Sequence, residues 1–245
     1  MFEEIVQNYP FKIDPTESNN PATKFINLIP RGSRVLEVGC ANGALSAYLT
    51  QQMNCEVVGI ELNPEAAKLA EQHCSCVILG DVEKDALDRA HGKFDVITFG
   101  DVLEHLVVPG AVLARCRKLL RSRGFILISI PNVAHYSVRF RLLWGRFDYQ
   151  QYGLLDRTHL RFFTLRTAKQ MLAESGYQIS AFDVVCAVRG WQFVQKCGPL
   201  ESVLKQRLAG LVGYQLIFRA SPLQDRHCKV DGRPQVEDRC QLVAE

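Results

Sequence analysis

Glu37 is the residue whose place in the sequence most directly suggests chemistry. It lies in the apolar stretch RVLEV (34–38), which runs into the glycine turn GCANG (39–43). A carboxylate beside such a turn attracts a cationic group and repels a pyrophosphate, while glycine lets a ligand approach the backbone closely. The arrangement therefore predicts a binding site for a ligand that carries positive charge.

Two histidines are candidate proton acceptors for a hydroxyl group, because imidazole titrates near neutral pH. His105 lies in GDVLEHL and His159 in DRTHLRFFT. If the first segment begins a helical turn, Asp101, Glu104 and His105 share one face. Either histidine could instead only hydrogen-bond to backbone and hold its segment in place, so both interpretations stay open.

Short segments rich in valine and isoleucine alternate with segments of helical periodicity, and these elements would position the polar residues. The predicted strands are RVLEV, CEVVGIE, CVILG, FDVITFG, GFILISI, YQISAFDVVCAV and LVGYQLIFRA. The predicted helices are GALSAYLTQQM, PEAAKLAEQHC, DALDRAH, PGAVLARCRKLLRS and LRTAKQMLAESGY, with a further loop and helix in WQFVQKCGPLESVLKQRLAG. Apolar strands separated by helices predict an α/β fold with a doubly wound, mostly parallel seven-stranded sheet and helices on both faces.

The composition favours one globular domain in a reducing compartment. The chain has 245 residues, is 47% hydrophobic and carries a formal net charge of +3, too small to indicate nucleic acid by charge alone. Because the nine cysteines are odd in number and MFEEIVQNYP does not read as a secretory leader, we predict reduced thiols and a cytoplasmic location. No Cys/His grouping has a zinc spacing, and no apolar run reaches the roughly 18–20 residues of a membrane span. We therefore expect no metal and no membrane-spanning segment.

The glycine turn does not match the common phosphate-binding motifs. A dinucleotide oxidoreductase requires G-x-G-x-x-G, and GCANG lacks the middle glycine and the later one. A P-loop requires Gly-Lys-Ser/Thr, which does not follow here. S-adenosylmethionine carries a sulfonium and an ammonium group and no phosphate, so it suits a site that contains Glu37.

VLEVGCANG resembles the first motif of class I, seven-stranded S-adenosylmethionine-dependent methyltransferases, except that Ala41 stands where that family usually has glycine. VVGIELNP, LGDVEKDAL and FDVITFGDVLEHL follow in the order of the later motifs, and the resemblance covers roughly residues 25–220. It implies that Glu61 accepts hydrogen bonds from the ribose hydroxyls and that Asp81 contacts the adenine amino group. The implied cofactor contacts are Glu37, Gly39, Cys40, Ala41, Gly43, Glu61, Leu62, Asp81, Val82, Phe99, Gly100, Asp101 and His105.

Residues 133–164 interrupt the α/β pattern between the fifth strand and the next helix. Arginines alternate with aromatic residues there, which suits a lid over an anionic or ring-bearing acceptor. An amphipathic helix packed by its aromatics, with solvated arginines, explains the pattern equally well. NVAHYS…LLDRTHLRFFT resembles the acceptor-site cover of a subgroup of bacterial small-molecule methyltransferases, some of them associated with glycan and lipopolysaccharide pathways.

The domain plan and the acceptor contacts follow from that resemblance. Residues 1–24 are predicted to form an N-terminal flap, 25–220 the methyltransferase domain with the lid at 133–164, and 221–245 a loosely ordered tail. His105 and His159 are the candidate catalytic residues. The candidate acceptor contacts are Tyr9, His135, Arg139, Trp144, Tyr152 and Arg161.

The resemblance implies methyl transfer to a small molecule, at an oxygen of a sugar, a glycan precursor or a phenol-like ring. A non-catalytic cofactor-binding or scaffold protein on the same fold is the first alternative, because fold does not guarantee activity. An RNA or protein methyltransferase is less favoured. Enzymes that modify exocyclic base nitrogens usually carry an Asn/Asp-Pro-Pro-aromatic motif where this chain has GDVLEH, so we expect no nucleic-acid partner.

Overall fold

The computed structural model describes residues 13–186 and 207–223. The strands are β1 (Arg34–Val38), β2 (Glu56–Glu61), β3 (Cys76–Leu79), β4 (Phe94–Gly100), β5 (Leu120–Pro131), β6 (Tyr177–Cys186) and β7 (Gly213–Pro222). The α-helices are α1 (Pro21–Leu28), α2 (Ala44–Met53), α3 (Pro64–Ala70), α4 (Pro109–Cys116), α5 (Tyr136–Leu143) and α6 (Leu165–Glu174). Short 3-10 turns occupy Ala86–Arg89, Leu103–His105 and Arg117–Leu119, and residues 207–212 are helical before β7.

The strands form one sheet in the order β3-β2-β1-β4-β5-β7-β6. The neighbours from β3 to β5 pair in parallel, while β7 runs antiparallel to both β5 and β6. This confirms the predicted doubly wound, mostly parallel seven-stranded sheet. The strand order reverses between β1 and β4, which opens a crevice at the carboxyl ends of these two strands.

Alternate residues of the central strands pack into two different cores, one on each face of the sheet. Along β1, Leu36 joins the core beneath α4 and α6, whereas Val35 joins the core beneath α1 and α2. The same alternation places Glu37 on the α1 and α2 face, two residues after Val35. Burial on both faces explains why the strand sequences are continuously apolar.

Several predicted helices end earlier in the structure, and two of them differ by more than their last turn. DALDRAH forms only the 3-10 turn Ala86–Arg89, and the predicted helix PGAVLARCRKLLRS ends as α4 at Cys116. β5 begins at Leu120, because Leu120 pairs with Phe94 of β4. The register then shifts, and regular pairing resumes between Phe125 and Val96. Tertiary pairing with β4 therefore overrides the helical periodicity of this segment.

The insertion between β5 and α6 lies where the sequence predicted it. α5 is its regular element, and Val138, Leu154 and Leu155 form a small core of their own. Its far end is tied to the turn after β4, because the backbone N–H groups of Leu160 and Arg161 both donate to the Glu104 carbonyl at 2.9 Å. Large apolar side chains remain on its surface, among them Leu143 (78% exposed) and Trp144 (75% exposed).

The predicted domain boundaries need correction at two places. Residue 24 is not the end of a flap, because α1 begins at Pro21, capped by the Asn20 side chain, and Lys24 is buried beside Asp183. Ser221 does not begin the tail, because β7 continues to Pro222, which pairs with Tyr177 of β6. Within the described part of the chain, no helix has the length and apolar character needed to cross a membrane.

Candidate cofactor and acceptor site

A cavity of about 440 Å³ opens at the crevice between the carboxyl ends of β1 and β4. Its walls are the turn after β1, the end of β4, the segment 13–25 and single residues of β5 and β7. The predicted cofactor residues that line it are Glu37, Gly39, Cys40, Ala41, Gly100 and Asp101. The other predicted cofactor residues lie outside its lining: Gly43, Glu61, Leu62, Asp81, Val82, Phe99 and His105.

The acidic and basic side chains that line the cavity are all carboxylic acids. They are Asp14, Glu17, Glu37 and Asp101, and among the described residues neither lysine nor arginine lines the cavity. Such a lining favours a cationic ligand over a phosphate, which is the preference that Glu37 alone suggested.

The turn after β1 depends on backbone conformations that glycine adopts readily. Gly39, Ala41 and Gly43 have φ values of 73°, 47° and 81°. A Cβ atom on Gly39 would lie 2.5 Å from Cγ2 of Val102, so glycine is required there for space as well. Alanine is strained in the left-handed conformation that Ala41 adopts, whereas glycine is not.

Glu37 is buried and hydrogen-bonded within the protein. The Ser46 hydroxyl donates to its Oε2 atom. Burial raises the pKa of Glu37 to about 8, against the opposing effect of the Ser46 bond. Glu37 is therefore largely a neutral acid at pH 7 in the unliganded protein, and a cationic ligand would favour its ionised form.

Glu61 joins the loops that follow β1 and β2. Its Oε2 atom accepts the backbone N–H of Ala41 at 2.8 Å, and its Oε1 atom accepts those of Leu62 and Asn63 at 2.9 Å each. A carboxylate has about four lone-pair sites, and these three N–H groups leave one of them, on Oε2, to accept a ligand hydroxyl. Leu62 is 68% exposed at the rim of this loop.

Asp81 and Val82 lie after β3. The Asp81 carboxylate accepts the Glu83 N–H at 2.9 Å and pairs with Lys84 at 3.4 Å, while Val82 is buried in the core. These contacts give Asp81 a local role in the turn after β3. Contact with an adenine amino group stays a prediction.

Two residues at the end of β4, a glycine and an aspartate, line the cavity. Phe99 is fully buried, so its side chain belongs to the core, whereas Gly100 and Asp101 line the cavity. Asp101 has a φ of 54°, and its carboxylate accepts hydrogen bonds from the Ser129 hydroxyl and, at 2.6 Å, from the Gln215 amide. Burial raises the pKa of Asp101.

The structure brings His105 and His159 together from segments 54 positions apart in the chain. Their ring centroids are 4.9 Å apart, and Nδ1 of His105 lies 3.2 Å from the Thr158 carbonyl oxygen. Both lie outside the lining of the 440 Å³ cavity. Burial and the neighbouring His105 lower the pKa of His159.

The predicted common face of Asp101, Glu104 and His105 is wrong. Asp101 has a left-handed backbone and precedes the 3-10 turn Leu103–His105, so the three do not share one helical repeat. Glu104 is 1% exposed, whereas His105 is exposed.

The candidate acceptor contacts in the insertion are partly occupied by bonds within the protein. The Arg139 guanidinium donates to the carbonyls of Ala134 and Gly210, and that of Arg161 donates to the Val107 carbonyl at 3.0 and 2.6 Å. The bonds to Gly210 and Val107 attach the insertion to the segments that precede β7 and follow β4. Trp144 and Tyr152 are exposed, and Tyr9 lies outside the described residues.

His135 is buried and caps α5. Its Nδ1 atom is 2.8 Å from the Ser137 hydroxyl and accepts the Ser137 N–H. Its ring packs against those of Tyr136 and Tyr214, and burial lowers its pKa. These contacts favour a structural role for His135 over contact with an acceptor.

Several residues of the cavity wall carry no signal in the sequence. Asp14, Glu17 and Asn20 reach the cavity from the segment before α1. Ser129 and Gln215 reach it from β5 and β7, which pair in antiparallel fashion. A polar residue in a strand acquires this role only through strand pairing, which no local pattern reveals.

Comparison with known proteins points to one family. Residues 18–181 match a family model described as a methyltransferase domain. The chain is 33% identical over 156 residues to a ubiquinone biosynthesis O-methyltransferase of Psychrobacter arcticus, covering 60% of this chain and 59% of that protein. It is 37% identical over 111 residues to the same-named protein of Xanthomonas axonopodis, covering 43% and 46%. The chain thus matches about half the length of these relatives.

Solved structures share the fold at low sequence identity. An S-adenosylmethionine-dependent methyltransferase of Archaeoglobus fulgidus superposes with a TM-score of 0.59 at 17% identity, covering 89% of this chain and 97% of that one. Magnesium protoporphyrin IX methyltransferase of Synechocystis, solved with bound S-adenosylhomocysteine, gives a TM-score of 0.54 at 16% identity, covering 82% and 78%.

Proposed function

Since the chain belongs to the class I S-adenosylmethionine-dependent methyltransferases, we propose that it methylates an oxygen of a small acceptor, with a phenol-like ring as the first choice and a sugar as the second. The observation that carries the choice of acceptor is the His105–His159 pair, in which His105 follows β4 and His159 belongs to the aromatic insertion. The matched part of the O-methyltransferase relatives supports oxygen as the methylated atom.

The residues of the cavity suit the cofactor. In the part of the chain that the structure describes, its lining carries four acids and neither lysine nor arginine, and the left-handed turn at 39–43 lets a ligand approach the backbone closely. We propose that Glu37 and Asp101 face the cationic methionine end and that Glu61 accepts the ribose hydroxyls. When bound, the cofactor would supply the methyl group: the acceptor oxygen would form its O–C bond as the C–S bond breaks, and the hydroxyl proton would pass to His105 or His159.

The insertion supplies the acceptor side. Its bonds to the Glu104 and Val107 carbonyls hold it against the end of β4, next to the residues that face the methyl group in this proposal. Phe147, Tyr149 and Phe162 pack edge to face in this region and could exclude water from a bound ring. We propose that His105 and His159 contact the acceptor oxygen.

Two measurements on the full chain test the proposal. S-adenosylhomocysteine at about 100 times its Kd should stabilise the folded protein by about 2.7 kcal/mol, which a thermal melt detects. With S-adenosylmethionine labelled in the methyl group, label should enter simple phenols or catechols and not the matched anilines. Binding without transfer to any hydroxyl acceptor would favour the non-catalytic alternative, and the absence of a melting shift would contradict the cofactor assignment.

A further inference from the structure

Two free cysteines meet beside Gly59, a glycine inside strand β2. A Cβ atom on Gly59 would lie 2.6 Å from Sγ of Cys40 and 3.3 Å from Sγ of Cys74. Both sulfur atoms therefore lie within 3.3 Å of one point, in the space that a side chain at this position would fill. Glycine inside a strand often marks such a close approach. The fold thus brings together two thiols from separate segments of the chain.

The two thiols have different surroundings. Cys40 is 2% exposed in the turn after β1, whereas Cys74 follows α3, is partly exposed, and places its Sγ atom 3.1 Å from the Ser46 hydroxyl. Hydrogen bonding with Cys40 lowers the pKa of Cys74, whereas hydrogen bonding with Cys74 and burial raise the pKa of Cys40. Cys74 is therefore the more reactive of the two, because the thiolate is the nucleophilic form of cysteine.

Cys40 also belongs to the wall of the cavity. It lies between Gly39 and Ala41, and all three residues line the cavity. The backbone N–H of Cys40 donates to the Ile60 carbonyl at 3.2 Å, and the N–H of Ala41 donates to the Glu61 carboxylate at 2.8 Å. Because two successive N–H groups bond this turn to the end of β2, a displacement of the Cys40 side chain would strain both bonds.

We propose that Cys40 and Cys74 form a disulfide when a peroxide oxidises the protein, and that this disulfide weakens the binding of the cofactor. A disulfide requires an S–S distance of about 2.05 Å, so its formation must draw the Cys40 side chain and the Cys74 side chain together. A partly exposed, reactive thiol with a second thiol beside it is the arrangement typical of redox sensors. The disulfide does not depend on the proposed function, whereas its effect on affinity rests on the cofactor site proposed above.

The oxidation takes place in two balanced steps. The Cys74 thiolate attacks one oxygen of hydrogen peroxide, the O–O bond breaks, and a sulfenic acid forms while the released hydroxide takes up a proton to become water. The Cys40 sulfur then attacks the Cys74 sulfur, so that the S–S bond forms as the S–O bond breaks, and the departing hydroxide leaves as water with the Cys40 proton. The two thiols lose two electrons and peroxide gains them. A small dithiol reverses the modification by thiol–disulfide exchange.

Peroxide treatment of the full, reduced chain tests the site without cofactor or acceptor. The remaining thiols are alkylated, and the cross-linked peptides are identified by mass spectrometry under non-reducing conditions. We expect a Cys40–Cys74 cross-link that a dithiol removes and that Cys74→Ser does not form. Cys76→Ser is the matched control, because Cys76 is an exposed cysteine only two positions further along the chain. This variant should form the cross-link as the unmodified chain does.

Calorimetry with S-adenosylhomocysteine, after the peroxide is removed, measures the effect of the disulfide on affinity. Oxidation should weaken binding at least about tenfold, the loss expected when one hydrogen bond to a charged group such as Glu61 is disturbed. A dithiol should restore the affinity, which separates disulfide formation from methionine oxidation. Cys74→Ser should keep its affinity after peroxide treatment, whereas Cys76→Ser should lose affinity as the unmodified chain does.

The outcomes separate this proposal from the proposed function. A cooperative thermal melt of each reduced variant verifies that it is folded. Absence of the Cys40–Cys74 cross-link in the unmodified chain would overturn the proposal, and so would equal affinity of the reduced and the oxidised chain. An equal loss of affinity in Cys74→Ser would assign the effect to another residue. If the reduced chain does not bind S-adenosylhomocysteine, the proposed cofactor site is wrong, and the cross-link still confirms or excludes the disulfide.

Discussion

The cofactor side and the acceptor side of the site are built in different ways. On the cofactor side, the turn 39–43 and the Glu61 carboxylate are joined by short bonds between adjacent strands of a parallel sheet. On the acceptor side, the insertion 133–164 meets the end of β4 through bonds to two carbonyls, those of Glu104 and Val107, and through the His105–Thr158 contact. The cofactor side is therefore part of the sheet and its turns, whereas the acceptor side is an inserted segment that hydrogen bonds connect to the end of β4.

This difference predicts a separation of effects. Changes on the cofactor side should alter the affinity for S-adenosylhomocysteine, because the residues of that side are fixed at the carboxyl ends of the strands. Changes on the acceptor side should alter turnover and leave that affinity unchanged, because the insertion is supported by its own small core of Val138, Leu154 and Leu155.

The largest effect is expected for Glu61→Ala. The substitution removes the acceptor for the N–H groups of Ala41, Leu62 and Asn63 as well as for the proposed ribose hydroxyls. Hydrogen bonds to a charged group contribute about 1.5–3 kcal/mol each, so affinity for S-adenosylhomocysteine should fall about 100-fold or more by calorimetry.

Glu56→Ala is the matched control, because Glu56 lies at the opposite end of β2 and pairs with Arg34 at the surface. An exposed pair contributes little, and this variant should keep its cofactor affinity. Equal affinities in the Glu61 and Glu56 variants would remove Glu61 from the site.

A smaller, pH-dependent effect is expected at Glu37. Its pKa of about 8 in the unliganded protein means that a cationic cofactor must bind the minor, ionised form near neutral pH. Affinity should therefore rise up to about tenfold per pH unit from about pH 6 to about pH 7.5. Cys74 and Glu61 are the other titratable groups that raise this pKa, and Ser46 opposes them.

Glu37→Gln should bind the cofactor more weakly and without this pH dependence. Because burial raises the pKa of Glu37 in the folded state, its stabilising neutral form is lost as pH rises from about 4.5 through about 8. Over that window the unliganded protein should lose up to about 1.4 kcal/mol of unfolding free energy per pH unit, and the Gln variant should not show this loss. A pH-dependent affinity that persists in Glu37→Gln would assign the effect to another group.

On the acceptor side, Arg161→Gln should change turnover by about fivefold. The variant loses the two guanidinium bonds to the Val107 carbonyl, which we expect to contribute about 1 kcal/mol to the docking of the insertion. The kcat/KM for the acceptor should fall while affinity for S-adenosylhomocysteine stays constant. Arg157→Gln is the control, because Arg157 is exposed and its side chain makes no hydrogen bond or ion pair among the described residues. A loss of cofactor affinity in Arg161→Gln would break the comparison between the two sides.

The same contrast explains what the sequence could and could not predict. The sheet follows from short apolar segments, and the β1 turn follows from the ten residues 34–43, which contain the apolar strand, its glycines and Glu37. Ser129 and Gln215 both hydrogen-bond to Asp101 only because β5 and β7 pair beside β4. Glu104 lies close to His159 only because the insertion folds back onto the turn after β4. The predicted common helical face of Asp101, Glu104 and His105 was wrong for a local reason. Asp101 adopts a left-handed backbone conformation, which hydrophobic periodicity does not reveal.

The smallest effect, and the one that tests the rigidity of the cofactor side, is expected for Ala41→Gly. Ala41 has a φ of 47°, a conformation that costs alanine about 1–2 kcal/mol. Glycine removes this strain but adds about 0.4–1 kcal/mol of unfolded-state entropy, so unfolding free energy should rise by roughly 0.5 kcal/mol.

Ala47→Gly in α2 should change the unfolding free energy in the opposite direction. Ala47 lies in a right-handed helix, where glycine should lower the unfolding free energy by about 0.5–1 kcal/mol. Urea unfolding of both variants measures the difference, with unchanged m-values as the check on two-state behaviour. If both substitutions destabilise the protein equally, the turn at Ala41 relaxes freely and the cofactor side is no more rigid than the insertion. If Ala41→Gly alone stabilises it, the strain is held by the Glu61 bond to the Ala41 N–H, which ties this turn to β2.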